Sequence, residues 1–256
     1  MGLIGQNGAG KSTTINSILN LVNFDSGDIK IFGKETSSIN KDLRNDIGVV
    51  FDEINFHETF TVKNINNVTS RIYSRWDKNL FFNYMKNFNL PLNKQIKNFS
   101  KGMKMKLSIS IALSHYPKLL ILDESTSGLD PVVRDEILDI FLDFVQDENH
   151  SILISSHITS DLEKIADYIS FIHDGEIIFT KNKDELIYNY GVIKCSEKQF
   201  NDLNKNDILV FRKKDYNYEA LTSNKIGVAK KYKNLIIDTP TIDEIMLLYV
   251  KGEKLC

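Results

Sequence analysis

The stretch Gly5-Gln6-Asn7-Gly8-Ala9-Gly10-Lys11-Ser12-Thr13 constrains what this chain can fold into more than any other. It has the G-x-x-x-x-G-K-[ST] spacing of a loop that cradles phosphate. Glycines at 5, 8 and 10 let the backbone turn tightly and point its N–H groups inward. Lys11 can reach β- and γ-phosphates, Ser12 can offer a hydroxyl to Mg²⁺, and a helix starting near Lys11 directs its positive end at the anion. Gly5, Asn7, Gly8, Ala9, Gly10, Lys11, Ser12 and Thr13 are therefore the candidate phosphate-binding set. Such a loop hangs from a strand. Here only Leu3 and Ile4 are left to form it, so either the strand is a stub or an N-terminal piece is missing.

Hydrophobic periodicity places the other elements. A helix is expected over 11–22, with Ile15, Ile18, Leu19 and Val22 on one face. Short strands are expected at 29–32, closed by Gly33-Lys34, and at 47–51, running into Asp52-Glu53. Residues 58–98 are rich in aromatics (Phe60, Tyr73, Trp76, Phe81, Phe82, Tyr84, Phe88) and read as helices 61–73 and 78–88, a helical insert on an α/β body. Most of these rings belong in a core. Ser100 can cap a helix over 102–115. A buried strand 119–122 ends in Asp123-Glu124, a helix 132–145 follows, and strand 151–156 leads to His157. Helix 159–165 and a hairpin 168–173/176–180 around Asp174-Gly175 complete this body. Beyond about 190 the pattern weakens. Strands 192–195, 208–211, 226–229 and 235–237 and a helix 241–249 suggest a small mixed appendage.

The chemistry gathers at strand ends, where open α/β sheets bind ligands. Asp123 can hold the Mg²⁺ that Ser12 also touches. Glu124 can activate a water aimed at a γ-phosphate. His157, at the tip of the next strand, can contact that phosphate and help place the water.

Taken together, the motifs resemble the nucleotide-binding ATPase subunits of ABC transporters, over about residues 1–185. Gly5 to Thr13 matches Walker A, and Leu119 to Glu124 matches Walker B with its catalytic glutamate. Ser100, Lys101, Gly102 and Met103 match the signature motif in an S-x-G-M form. Ser127, Gly128, Leu129 and Asp130 match the D-loop, and His157 matches the switch histidine. The whole chain is similar to the ATPases of Gram-positive ABC-2-type exporters of drugs, bacteriocins or peptides.

The resemblance implies a P-loop NTPase of the ABC type: an ATPase domain over 1–189 with a helical insert at about 53–115, and an accessory domain over 190–256. It implies ATP and Mg²⁺ bound between two head-to-tail copies. Lys11, Ser12 and Asp123 would act from one copy, and Ser100 and Gly102 from the other. A membrane permease would dock on the insert, placing the protein peripherally on the cytoplasmic face of the plasma membrane.

The sequence departs from the family pattern at three points. The usual strand region and adenine-stacking aromatic cannot fit in residues 1–4, which makes a truncated sequence the expectation. Asp52 stands where the Q-loop glutamine is expected, and it can still reach Mg²⁺ directly or through water. Ser125 replaces a proline after Glu124, with a small expected effect on loop rigidity.

Composition narrows the alternatives. A formal charge of −2 gives nucleic acid no general attraction, so no nucleic-acid partner is expected. Two cysteines, Cys195 and Cys256, lack metal-ligand spacing and fit a reducing compartment. No run of 18 apolar residues occurs. The competing readings are a soluble ABC-type ATPase acting on ribosomes or DNA, and a truncated fragment that binds nucleotide without catalysis. The first normally carries two cassettes or long insertions, and the intact Glu124 and His157 argue against the second.

Overall fold

The computed structural model describes residues 1–36, 41–215 and 217–254. Two compact units make up the chain, Met1–Ile165 and Ala166–Cys256. Cys256 lies outside the described residues.

In the first unit, β1 (Gly2–Ile4) is fully buried and feeds the glycine loop. It is a three-residue strand that pairs in parallel with Ile154 to Ser156. The anchor strand is therefore present, although short. Gly2 is needed there, because a Cβ would meet the Leu162 side chain at 2.9 Å. Helix α1 (Lys11–Ile18) buries Lys11 and Ile15. It ends four residues earlier than its apolar spacing suggests, because Asn20 turns left-handed at φ 56° and closes the helix. The expected strand at 29–32 is a hairpin, β2 (Lys30–Ile31) and β3 (Lys34–Glu35). Phe32 and Gly33 both take positive φ, as a tight two-residue turn requires.

A short helix α2 (Lys41–Asn45) precedes β4 (Ile47–Val50). The insert follows as α3 (Val62–Ile72), capped by Thr61 and Asn64, and α4 (Lys78–Asn87), capped by Asp77. Next comes α5 (Lys101–Leu113), whose N-cap Ser100 accepts a bond from the Met103 amide. These helices close on Val62, Ile65, Phe81, Met85, Ile96, Leu107 and Ile111. Phe60, Trp76, Phe82, Tyr84 and Phe88 pack against that cluster, so the aromatics do form a core. Strand β5 (Leu119–Asp123), helix α6 (Pro131–Phe144), strand β6 (Ser151–Ser156) and helix α7 (Thr159–Ile165) complete the unit. Asp130 caps α6, and Pro131 occupies its first turn.

Strands β4, β5, β6 and β1 lie side by side in that order, and each pairing is parallel. Their C-terminal ends therefore share one edge. The glycine loop, Asp52, Asp123-Glu124 and His157 all emerge there.

His115 sits just past α5 and is fully buried. Its ring stacks on Tyr73 with centroids 4.0 Å apart, and its Nδ1 bonds the Asn45 carbonyl at 3.1 Å. Burial pushes its pKa down to about 4, with the nearby Arg75 charge acting in the same direction. An unfolded histidine titrates near 6.5. Between those values the unfolded chain takes up a proton that the folded one refuses. Stability is thus present above pH 6.5 and lost as pH falls toward 4, by at most about 3 kcal/mol. Urea unfolding at pH 7 and pH 5 checks this. A His115→Phe variant is expected to lose less stability over that interval, and equal losses in both proteins would refute the assignment.

In the second unit, β7 (Tyr168–His173) and β8 (Glu176–Asn182) form the expected hairpin, with Asp174 and Gly175 at positive φ. Helix α8 (Lys183–Tyr188) follows. Then come β9 (Gly191–Cys195), α9 (Glu197–Asn201), β10 (Val210–Lys213), β11 (Tyr218–Thr222), α10 (Lys225–Lys231), β12 (Ile236–Asp238) and α11 (Ile242–Lys251). The sheet order is β10-β11-β9-β12, antiparallel throughout. Its core holds Ile193, Cys195, Tyr218, Ala220 and Val228. The strand expected at 226–229 is helix α10, because Asn224 caps it through the Gly227 amide. Strand β11 was not anticipated, because it carries a buried acid, Glu219, which Arg212 and Lys214 neutralise.

Candidate nucleotide site

The loop after β1 owes its shape to two left-handed glycines, Gly8 at φ 84° and Gly10 at φ 112°. Gly10 also caps α1, so the first amides of that helix face the loop. Lys11 is 5% exposed. Its ammonium donates to the carbonyls of Gly5 at 2.8 Å and Gln6 at 3.2 Å. It also lies 3.1 Å from Glu124 Oε1.

Glu124 is the first residue past β5. It holds φ at 51°, a conformation that costs a non-glycine residue energy and that gathers at functional positions. Its amide donates to the Ser155 carbonyl and to Ser155 Oγ, which fixes the turn. Its second carboxylate oxygen meets His157 Nδ1 at 2.5 Å. Lys11, Glu124 and His157 thus form one continuous chain of contacts from three different strand ends.

A cavity of about 390 Å³ opens over this chain. Asn7, Gly8, Gly10, Lys11, Ser12, Thr13, Asp52, Glu124, Ser127 and His157 line it. Asp123 is not in the wall. It lies beneath, 9% exposed, and accepts a bond from Ser155 Oγ at 2.5 Å. Ala9 is buried inside the loop.

The segment Ser100 to Met103 does not line this cavity. It lies instead beside the loop 127–130 of the same chain. A Cβ on Gly128, which has φ 65°, would sit 3.0 Å from the Lys101 ammonium. A Cβ on Gly102 would sit 3.1 Å from the Val133 side chain. Asp130 uses its carboxylate on the Val133 amide. Asp52 lines a second groove as well, of about 380 Å³, with Glu53, Ile54, Phe56, Lys101, Lys104 and Met105.

Residues 1–127 match the ABC transporter family. The bacitracin transport ATP-binding protein BcrA of Bacillus licheniformis is 34% identical over 237 residues, spanning 91% of this chain and 76% of that protein. This chain belongs to the ABC transporter ATP-binding proteins. The lantibiotic transport ATP-binding protein SrtF of Streptococcus pyogenes is 39% identical over 184 residues, or 71% of this chain and 78% of SrtF. Among solved structures, an ATP-binding subunit of an ABC transporter superposes with a TM-score of 0.63 at 27% identity, covering 78% of this chain and 81% of the other. A dimeric ATP-binding cassette in a post-hydrolysis state with ADP and Pi shares the fold, with a TM-score of 0.62 at 22% identity over 71% of this chain and 84% of that one. The chain is an ABC-type ATPase.

Ser155, which no motif in the sequence marks, belongs to this site. One hydroxyl accepts from the Glu124 amide and donates to Asp123, and so sets both carboxylates. The available signal is the pair Ser155-Ser156 that closes the apolar run Ile152-Leu153-Ile154 just before His157. Among the described residues no group of three or more His, Cys, Asp or Glu gathers to hold a metal. The donors present are oxygens: the Ser12 hydroxyl, Asp52 and, beneath the wall, Asp123. That set suits Mg²⁺, which binds through one or two carboxylates together with substrate phosphates and retained waters. Among the described residues, no helix is long and apolar enough to cross a membrane.

Proposed function

We propose that this ATPase hydrolyses Mg²⁺-bound ATP as half of a head-to-tail dimer and drives export of a drug, peptide or lipid-like compound through a separate permease. The carrying observation is the convergence of Lys11, Glu124 and His157 on one cavity walled by the phosphate loop. Asn7 to Thr13 would wrap the phosphates with backbone amides, and Lys11 would neutralise their charge. Ser12 and Asp123 would hold the metal, with Asp52 nearby, and the metal would supply charge neutralisation at the phosphates. Glu124 would take the proton of the attacking water, and His157 would orient Glu124 and the γ-phosphate.

Ser100, Lys101, Gly102 and Met103 are assigned to the partner copy's nucleotide. Their place outside this chain's own cavity supports that, as does the exposed N-terminus of α5, whose amides suit a phosphate. Ser127, at the start of the loop 127–130, lines the cavity and would border the bound nucleotide. Asp52 lines both the nucleotide cavity and the groove against the insert, which supports a permease docking on residues 53–115 and coupling through Asp52. We assign 1–189 to the ATPase domain and 190–256 to an accessory domain, a boundary that falls within the second compact unit rather than after Ile165, with the protein held at the cytoplasmic face of the plasma membrane by its permease. BcrA and SrtF, named for bacitracin and lantibiotic transport, support this cargo class.

The signature assignment is tested with Ser100→Ala combined with Gly102→Val. Turnover is expected to fall at least about 100-fold, the scale of a lost oxyanion-type donor, while ATP affinity of the single chain stays within about twofold. A parallel loss of affinity would place those residues in the chain's own site and overturn the dimer reading.

A further inference from the structure

Helix α7 begins two residues after His157, and its first turn carries Asp161, which is fully buried. A buried carboxylate survives only if its oxygens are satisfied. Here both are. Oδ2 accepts from Thr126 Oγ1 at 2.6 Å, and Oδ1 accepts from Arg134 Nε at 2.6 Å. The other arm of Arg134 donates to Ser160 Oγ at 2.8 Å. Thr126 stands two residues after Glu124, inside the loop that leads to Ser127 and Asp130. Arg134 stands in the first turn of α6, just past that loop. One carboxylate therefore joins the segment after Glu124, the helix after the loop and the helix after His157.

We infer that Asp161 is a positioning residue for ATP hydrolysis, holding the Glu124 loop and the His157 turn in register. The inference rests on the proposed roles of Glu124 and His157. Neither Asp161 nor Thr126 lines the nucleotide cavity, so their effect must pass through the residues that do. The α6–α7 pair has other fastenings, since Lys164 bridges Asp135 and Asp139 at the surface, each at 2.7 Å. Those surface pairs contribute to docking the two helices. Asp161, unlike these surface pairs, reaches inward to Thr126 in the loop behind Glu124. The Glu124–His157 contact is 2.5 Å long and is built on a backbone held at positive φ, so it depends on where both turns sit. A shift of about 1 Å in such a contact can cost about 100-fold in rate.

The 256-residue chain is assayed for kcat, ATP affinity and melting temperature, below the unfolding transition of every variant. Thr126→Val is the cleanest probe, because it removes one hydroxyl and leaves the Asp161–Arg134 pair intact. It is expected to lower kcat about 3- to 10-fold with ATP affinity within about twofold. Thr126→Ser keeps the hydroxyl and is expected to restore kcat to within about twofold of the parent. Asp161→Asn is expected to lower kcat about tenfold or more, again without loss of affinity. Should it fail to fold, Thr126→Val and Thr126→Ser decide. A lower melting temperature with unchanged kcat in Thr126→Val would mean a purely structural tie and overturn the inference. So would equal falls in kcat and affinity. Glu124→Gln run beside them separates the two readings. If it leaves turnover intact, the catalytic assignment itself fails. If it abolishes turnover while Thr126→Val and Asp161→Asn do not change kcat, only the positioning role fails.

Discussion

Replacing Glu124 with glutamine is expected to lower steady-state ATP turnover by about 100- to 10,000-fold, the range of a lost general base. Glutamine keeps the length of the side chain and accepts the same left-handed backbone, which glutamate already adopts at φ 51°. What it loses is the charge and the basicity. The carboxylate is held by Lys11 on one oxygen and His157 on the other, so its place in the cavity wall is fixed. ATP binding is a different matter. A negative carboxylate close to a polyphosphate is repulsive, so removing its charge leaves affinity unchanged or improves it. The variant is therefore expected to bind ATP and to accumulate as an ATP-dependent dimer, measurable by gel filtration. Turnover equal to the parent's would remove Glu124 from the mechanism.

The residues of that argument were legible because their spacing encodes them locally. A phosphate loop is one continuous turn, and Gly8 and Gly10 are written where positive φ is needed. Four apolar residues followed by Asp123-Glu124 announce a buried strand that ends in carboxylates. Ser151 to His157 repeats the device one strand along. Parallel pairing then brings their C-terminal ends to one edge, which follows from the fold class alone.

What stayed hidden was non-local or depended on charge burial. Thr126, Arg134 and Asp161 are ordinary polar residues until a 35-residue and a 27-residue separation close on one carboxylate. Strand β11 reads Tyr218-Glu219-Ala220-Leu221-Thr222, and every one of these residues is buried. Alternation of apolar and polar residues marks a strand with one wet face, and β11 has none. Its glutamate is tolerated only because Arg212 and Lys214 come to it from β10 and the turn that follows. Residues 226–229, Ile-Gly-Val-Ala, favour a strand on propensity. The cap at Asn224 and the basic last turn, Lys230 and Lys231, outweigh that preference and make a helix. The early end of α1 has a similar cause, since Leu21 and Val22 continue the apolar spacing but stand exposed beyond the left-handed Asn20.

Lys11→Ala is expected to act on binding itself. Its ammonium reaches the phosphate loop from inside, and charge-assisted bonds to a phosphate are worth about 1.5–3 kcal/mol each. Losing one or two of them should weaken ATP affinity by about 10- to 20,000-fold. The same ammonium bonds the Gly5 and Gln6 carbonyls and sits beside Glu124, so alanine also loosens the loop and frees a carboxylate beneath the phosphates. Both consequences push affinity down. Lys11→Met separates them. It fills the space of the stem without the charge, so a loss of the same size in both variants assigns the effect to the ammonium. A loss confined to alanine assigns it to loop packing. Titration of the purified chain with a fluorescent ATP analogue reads the affinities, and a melting curve confirms that each variant is folded. Unchanged affinity in both variants would mean that the glycine loop does not hold the phosphates, and the roles given to Glu124 and His157 would then lose the substrate they are arranged around.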